Sequence, residues 1–200
     1  MTPQVRETGA MTEGRLFYVV GASGIGKNGL LDYARRQLSN THPIMFAHRY
    51  ITRPAAKSSE NEVSLSDGEF ALRKRHGLFA MDWESRGLRY GIGNEVNYWL
   101  AMGLSVVVKG SRAYLGEALR AYPDMTAIWL VAASEAVPLL SARGPSDPRC
   151  PLPHEYAVSG RSRERRIVHI GNNRSLTPAG EKLVSVLVGD PVELGRHKRA

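Results

Sequence analysis

The chain has 200 residues, 42% hydrophobic and 23% charged, which suffices for one hydrophobic core and favours a single domain over two. No stretch approaches the roughly 18 consecutive apolar residues of a membrane-spanning helix, and residues 1–14 lack signal-peptide and transit-peptide features, so we predict a cytoplasmic protein without a membrane role. The net charge of +8 favours an anionic partner, and because the aromatic residues are only 8% of the chain and scattered, we predict a small phosphorylated ligand rather than nucleic acid.

The first predicted element is an apolar, β-branched and aromatic run at residues 15–20, a pattern typical of a buried parallel strand. A glycine-rich loop follows, and apolar residues at helical spacing then predict a helix over residues 27–39. Short apolar strands alternate with helices along the rest of the chain: strands at 44–47, 104–108, 126–131 and 167–170, and helices at 66–75, 94–101, 112–121 and 177–188. This alternation predicts an α/β fold with a mostly parallel sheet and helices on both faces.

Three segments depart from the alternation. Residues 1–14 and the basic residues 189–200 are predicted to be disordered tails that flank one domain at 15–188. Within that domain, five of the eleven prolines fall between positions 138 and 153. Proline removes a backbone donor and clashes with the preceding helical turn, so no regular helix is expected there.

A phosphate-binding signature follows the first strand. Its residues match G-x-x-x-x-G-K and are Gly21, Ala22, Ser23, Gly24, Ile25, Gly26 and Lys27. Because glycine tolerates positive φ, the backbone N–H groups of such a loop can turn toward a polyphosphate at the start of a helix. Lys27 would then reach the terminal phosphates of ATP and neutralise charge during phosphoryl transfer. The alternative is a glycine-rich turn with an incidental lysine.

Asn28 occupies the next position, where a serine or threonine hydroxyl normally binds Mg²⁺. Its neutral amide oxygen can bind a hydrated Mg²⁺ directly or through water, which makes Asn28 the candidate metal-binding residue. The other interpretation is that the chain simply has a lower affinity for magnesium.

Four further motifs follow the loop in order: HRYITR at 48–53, SENE at 59–62, GLRYG at 87–91 and VVVKGSR at 106–112. Together with the loop they resemble the ribose 1,5-bisphosphate phosphokinases of phosphonate degradation, a guanylate-kinase-like P-loop family. The resemblance implies a P-loop nucleoside-monophosphate-kinase-like fold with a lid. It also implies that ATP and Mg²⁺ are used to convert ribose 1,5-bisphosphate into 5-phosphoribosyl 1-diphosphate. An acidic residue commonly follows the loop lysine in that family, so Asn28 departs less from it than from P-loops in general.

The acceptor side of the site is assigned by the same resemblance to Arg49, Arg53, Tyr90, Ser111 and Arg112. Arg53 matches one phosphate-binding arginine of guanylate kinases, and Arg49 is expected to compensate for the second, which is missing. Their spacing of four places both arginines on one side of an extended segment, so they can face one anion. Ser111 and Arg112 follow a buried strand at its carboxyl end, where open parallel sheets bind ligands. For Tyr90 the alternative is an aromatic residue of the core.

Met81 stands where guanylate kinases place the glutamate that pairs with guanine, counting back from Tyr90. A thioether cannot accept those hydrogen bonds, and each unpaired donor of the base would cost about 1–3 kcal/mol. The resemblance therefore favours a base-free sugar bisphosphate over GMP as acceptor. Met81 and Trp83 are expected to pack in the core rather than to recognise a ligand.

Residues 138–160 are expected to form the lid that the family closes over ATP. Arg143 matches the first arginine of the family's R-G-R-E run and is the second candidate catalytic residue, acting on the transferred group. The second arginine and the glutamate are absent, and the basic run at 161–166 is the alternative source of charge. Two other functions stay open: a kinase for another small phosphorylated metabolite or nucleotide, and a guanylate-kinase-like binding module without catalytic activity. The sequence leaves the oligomeric state open.

Overall fold

The computed structural model describes residues 14–38, 40, 42–55, 61–132, 167–172 and 176–189. Its strands are β1 (Leu16–Gly21), β2 (Ile44–Phe46), β3 (Arg49–Ile51), β4 (Glu62–Ser64), β5 (Phe79–Ser85), β6 (Leu88–Gly93), β7 (Ser105–Lys109), β8 (Thr126–Ala132) and β9 (Ile167–Asn172). Its helices are α1 (Lys27–Leu38), α2 (Asp67–Arg75), α3 (Glu95–Ala101), α4 (Leu115–Ala121) and α5 (Leu176–Val188). The expected lid, with Arg143, lies outside the described residues, as do the expected tails apart from one residue of each.

β1 is the central strand of a five-stranded parallel sheet with the order β2-β7-β1-β8-β9. Residues 16–20 of β1 are all buried, as expected for a strand whose two faces are both covered. The predicted parallel sheet is therefore confirmed, and all five of its strands were predicted from apolar runs.

Helices cover both faces of this sheet. Leu16, Tyr18 and Val20 of β1 point into a core cluster completed by residues of α3 and α4. Phe17 and Val19 point to the other side, into a cluster completed by α1 and α5. Successive side chains of a strand face opposite ways, so one apolar run supplies both clusters. The predicted α/β arrangement with helices on both faces is confirmed.

A second, four-stranded sheet with the order β4-β3-β6-β5 was not predicted. β3 pairs with β4 in parallel and with β6 antiparallel, and β5 and β6 form a hairpin. Arg86 and Gly87 form the hairpin turn between paired Ser85 and Leu88, and both have positive φ, at 53° and 71°. The signal that could have identified β5 is its alternation of apolar positions 79, 81 and 83 with acidic positions 82 and 84.

Helix boundaries agree with the sequence except at α4. Ser66 caps α2 as its spacing predicts, since its side chain accepts a hydrogen bond from the Glu69 N–H at 3.1 Å. α4 begins at Leu115, three residues after the predicted start at 112, because residues 111–114 form a loop at the carboxyl end of β7. Within the described residues, no helix has the length and apolar character needed to span a membrane.

Candidate active site

A cavity of about 730 Å³ is walled by both sheets, at the carboxyl ends of β1 and β7. The glycine-rich loop forms one wall, the segment after β7 another, and side chains of β3, β5 and β6 a third. Its lining residues are Gly21, Ser23, Gly24, Gly26, Lys27, Asn28, Arg49, Trp83, Ser85, Arg86, Tyr90, Lys109, Gly110, Ser111, Arg112 and Ala113. Most of the predicted site residues are thus brought together, but Ala22, Ile25 and Arg53 do not line the cavity.

The loop between β1 and α1 needs its glycines for two different reasons. Gly24 and Gly26 have φ values of 80° and 86°, in the left-handed region that other residues seldom adopt, as predicted for this motif. Gly21 is required by a close approach, because a Cβ there would lie 2.8 Å from the carbonyl oxygen of Leu130 on β8. The loop is therefore packed directly against the neighbouring strand.

Lys27 begins α1, and its Nζ donates hydrogen bonds to the carbonyl oxygens of Gly21 at 2.8 Å and Ala22 at 2.6 Å. Partial burial, together with the charges of Lys109, Arg112 and Arg49, lowers the pKa of Lys27 to about 8. An anion bound among these cations would favour the charged amine and raise that pKa again.

Asn172, the last residue of β9, was not identified from the sequence. Its Nδ2 donates a hydrogen bond to the carbonyl oxygen of Ile25 at 2.7 Å, which ties the loop to the edge of the sheet. Its Oδ1 is buried and has no hydrogen-bond partner among the described residues. A signal was available, because a polar residue at the carboxyl end of a parallel strand lies where such sheets place their ligand sites.

Arg49 and Arg53 face the same anion, as their spacing predicted, but this anion is the Glu62 carboxylate. Each arginine donates to one carboxylate oxygen of Glu62, and the Lys109 Nζ donates to the Glu62 Oε1 at 3.2 Å. The Glu62 side chain is only 2% exposed, so it is a buried counter-ion for three cations. Arg49 and Lys109 line the cavity, whereas Arg53 contacts Glu62 from outside the cavity wall.

Tyr90 and Trp83 form an aromatic wall of the cavity. Their rings are stacked, with centroids 5.6 Å apart and planes inclined by 9°. The Arg49 guanidinium lies 4.9 Å from the Tyr90 ring centroid, within the range of a cation–π contact. Trp83 packs against the core, as expected, and it also lines the cavity. Met81 is 1% exposed and belongs to the core, as expected.

Tyr18 of β1 holds the segment that follows β7 through hydrogen bonds to the backbone of Ser111. Its hydroxyl donates to the Ser111 carbonyl at 3.1 Å and accepts from the Ser111 N–H at 3.0 Å. A Cβ at Gly110 would lie 2.0 Å from the Tyr18 ring, so glycine is required for this contact. Burial raises the pKa of Tyr18, which keeps the hydroxyl protonated and able to donate. Ser111 and Arg112 are thereby held at the cavity.

Among the residues that the structure describes, five cationic side chains and no carboxylate line the cavity. Three of them, Lys27, Arg49 and Arg112, were expected from the sequence. Lys109 and Arg86 were not expected. Lys109 lies in the motif at 106–112, of which only Ser111 and Arg112 were assigned to the acceptor, and Arg86 lies in the hairpin that was not predicted. This charge distribution suits ligands that carry several negative charges, such as two phosphorylated molecules side by side.

The chain is similar over almost its whole length to proteins named ribose 1,5-bisphosphate phosphokinase PhnN. It is 46% identical over 186 residues to that of Thiobacillus denitrificans, with 88% of this chain and 94% of the relative covered. The chain belongs to the ribose 1,5-bisphosphate phosphokinase family. The family member of Burkholderia mallei is 42% identical, with 90% of this chain and 98% of the relative covered. That of Psychromonas ingrahamii is 40% identical, with 92% of this chain and 94% of the relative covered. A scan against models of protein families finds no match.

Among solved structures, the fold of this chain is similar to that of guanylate kinase from Anaplasma phagocytophilum. The TM-score is 0.61, with 92% of this chain and 89% of the other covered. At 13% sequence identity this similarity establishes the fold alone. The predicted family and the predicted nucleoside-monophosphate-kinase-like fold are both confirmed.

The described residues offer few donors for Mg²⁺. Asn28 lines the cavity next to Lys27, and the described residues contain no group of three or more His, Cys, Asp or Glu side chains arranged to hold a metal ion. One amide oxygen fits a hydrated Mg²⁺ that is carried mainly by substrate phosphates, the usual mode for this cation in kinases.

Proposed function

We propose that the protein transfers the γ-phosphoryl group of ATP to the 1-phosphate of ribose 1,5-bisphosphate and forms 5-phosphoribosyl 1-diphosphate and ADP. The observation that carries this proposal is the cavity beside the glycine-rich loop, whose lining, in the described part of the chain, has five cations and no carboxylate. Two polyanions must meet in one cleft for this reaction, and fixed positive charges reduce their repulsion while stabilising the charge that develops during transfer.

On the ATP side, the loop residues Ser23, Gly24 and Gly26 would surround the phosphates with backbone N–H groups at the start of α1. Lys27 would exchange its two carbonyl partners for phosphate oxygens, which are stronger acceptors because they are charged. Asn28 would contribute an oxygen to hydrated Mg²⁺. Bound there, Mg²⁺ would neutralise phosphate charge and help to orient the γ-phosphoryl group.

On the acceptor side, the residues nearest Lys27 would hold the phosphate that reacts. Arg49, Lys109 and Arg112 are close enough to lower the Lys27 pKa, so they surround the place where two phosphates must meet. An oxygen of the 1-phosphate attacks the γ-phosphorus, the bond to the ADP oxygen breaks, and ADP leaves. A phosphate monoester has already lost its second proton near neutral pH, since that pKa is about 6, and the step needs no general base.

Arg53, Tyr90, Ser111 and Arg143 complete the proposed machinery. Arg53 would act through Glu62, which positions Arg49, and Tyr90 would support Arg49 from its ring face. Ser111 would donate to the acceptor phosphate. Arg143 would neutralise the transferred group when the lid closes. The proposal places the reaction in the cytoplasm, with no nucleic-acid partner.

The acceptor specificity of this proposal rests on Met81. By the resemblance to guanylate kinases, this side chain replaces the glutamate that pairs with guanine; it is buried in the core and does not line the cavity, and no carboxylate among the described residues lines the cavity to take that role. A sugar without a base leaves no donor unpaired there.

The test is acceptor-dependent ADP formation by the full chain with ATP and Mg²⁺, comparing ribose 1,5-bisphosphate with ribose 5-phosphate and GMP. Efficient turnover is expected with ribose 1,5-bisphosphate alone. Lys27→Ala should lose at least about 100-fold in kcat while keeping its melting temperature, and Lys182→Ala, an exposed lysine of α5, should retain full activity. Turnover of GMP that equals or exceeds that of the bisphosphate would contradict the proposal, as would wild-type rates in Lys27→Ala.

A further inference from the structure

Arg86 occupies an unusual backbone position at the tip of the β5–β6 hairpin. It is the first residue of the two-residue turn and has a φ of 53°, the only non-glycine residue with positive φ in the described part of the chain. Glycine, asparagine and aspartate normally occupy this position, because other side chains disfavour the left-handed conformation. An arginine here is therefore not explained by the turn itself.

The Arg86 side chain is exposed and lines the cavity. Among the described residues it has no hydrogen bond and no ion pair. The other cations of the cavity all interact within the chain: Lys27 with loop carbonyls, Arg49 and Lys109 with Glu62, and Arg112 with a further group. Arg86 thus offers its full set of guanidinium donors to a ligand.

Arg86 also lies apart from the place where the two reacting phosphates meet. The Arg49 guanidinium lies over Tyr90, and Arg86 lies at the hairpin turn, three residues beyond Trp83, the partner of Tyr90 on β5, which is about 10 Å at 3.3 Å per residue. An extended arginine side chain spans part of that distance. The cations that lower the Lys27 pKa are Lys109, Arg112 and Arg49, and Arg86 is not among them. The cavity therefore has a second cationic end, away from the loop.

This inference rests on the proposed function, in which the 1-phosphate lies beside Lys27. The 5-phosphate must then lie at the opposite end of the sugar, directed away from the loop. We propose that Arg86 binds the 5-phosphate of ribose 1,5-bisphosphate and thereby selects a bisphosphate over a monophosphate acceptor. The forked guanidinium suits a terminal phosphate, which it can bind through two parallel hydrogen bonds.

The experiment compares Arg86→Asn and Arg86→Gly with wild type on two acceptors, ribose 1,5-bisphosphate and ribose 1-phosphate. Both replacements tolerate the turn conformation, so the melting temperature should be unchanged or raised. The kcat/KM for the bisphosphate should fall about 10- to 100-fold, mainly through KM, because one charge-assisted contact is lost. Ribose 1-phosphate, as a substrate or as a competitive inhibitor, should be affected less than twofold, and the KM for ATP should not change. Arg120→Ala, an exposed arginine of α4, is the control.

Results of two kinds would overturn the assignment while the proposed function stands. One is a bisphosphate kcat/KM within about threefold of wild type in both variants, and the other is an equal loss on both acceptors or a raised KM for ATP, which would place Arg86 on the reacting phosphates instead. A wild-type protein that does not phosphorylate ribose 1,5-bisphosphate would reject the proposed function itself, and this inference with it.

Discussion

Replacing Glu62 with glutamine should destabilise the protein far more than the loss of an ordinary surface charge. The Glu62 side chain is 2% exposed, and Arg49 and Lys109 beside it are 13% exposed. Glutamine keeps the shape but leaves three neighbouring cations, including Arg53, without a counter-ion. Removing one partner of a buried ion pair costs about 3–5 kcal/mol. Because each kcal/mol lowers the melting temperature of a chain this size by about 2–4 °C, we expect a fall of about 6–20 °C.

Thermal melts of Glu62→Gln and Asp67→Asn provide the comparison. Asp67 pairs with Arg89 at 2.9 Å, but these side chains are 75% and 38% exposed, so the control should lose less than about 1 kcal/mol. Adding Lys109→Met to Glu62→Gln should restore part of the stability, because one uncompensated charge disappears. Equal melting temperatures for Glu62→Gln and Asp67→Asn would refute the role of Glu62 as the counter-ion.

The stability deficit of Glu62→Gln should also depend on pH. Burial and the Arg49 charge lower the pKa of Lys109, whereas Glu62 raises it. Without Glu62, Lys109 loses its proton at a lower pH in the folded protein than in the unfolded chain. The deficit is therefore complete where Lys109 is charged in both states and shrinks as the pH rises through the folded-state pKa. A deficit that stays constant between neutral and alkaline pH would contradict this explanation.

Three further outcomes can be measured on the same protein. ATP affinity, measured by calorimetry on either side of pH 8, should fall as the pH rises through about 8, because Lys27 then loses its charge. In Lys27→Arg the side chain stays charged, so the affinity should show no such fall beyond the contribution of Lys109. Asn172→Ala should weaken ATP binding about 5- to 10-fold and leave the acceptor KM unchanged, because it removes the hydrogen bond to the loop carbonyl of Ile25. Unchanged ATP affinity would show that this hydrogen bond does not position the loop. GMP should have a kcat/KM at least about 100-fold below that of ribose 1,5-bisphosphate in a coupled ADP assay, because no carboxylate among the described residues lines the cavity to pair with the base. Comparable values would show that the base is read by another group.

The parallel sheet and the glycine-rich loop could be predicted because their signals are local. β1 is apolar at every position from Leu16 to Val20, which follows from burial of both strand faces, and the loop glycines stand at fixed spacing. The second sheet has weaker signals. β3 and β4 are three residues each, and β3 lies between β4 and β6, so the place of both short strands in the sheet depends on neighbouring strands rather than on their own composition.

Within the candidate site, Lys27, Arg49 and Tyr90 were named from the motifs and all line the cavity, but the motifs could not supply their supporting contacts. The hydrogen bond between Tyr18 and Ser111 joins residues 93 apart in sequence, and that between Asn172 and Ile25 joins residues 147 apart. Such contacts depend on which strands are neighbours in the sheet. The buried position of Glu62 likewise follows from its pairing opposite Arg49 on β3, which no local pattern specifies.

Phosphorus NMR of the reaction mixture tests the proposed chemistry most directly. With the full chain, ATP, Mg²⁺ and ribose 1,5-bisphosphate, the signal of the 1-phosphate should be replaced by the coupled pair of signals of a sugar 1-diphosphate, in step with ADP formation, while the 5-phosphate stays a monoester. The pair should be absent with Lys27→Ala. A diphosphate formed at the 5-position, or ADP accumulating without any sugar diphosphate, would contradict transfer to the 1-phosphate.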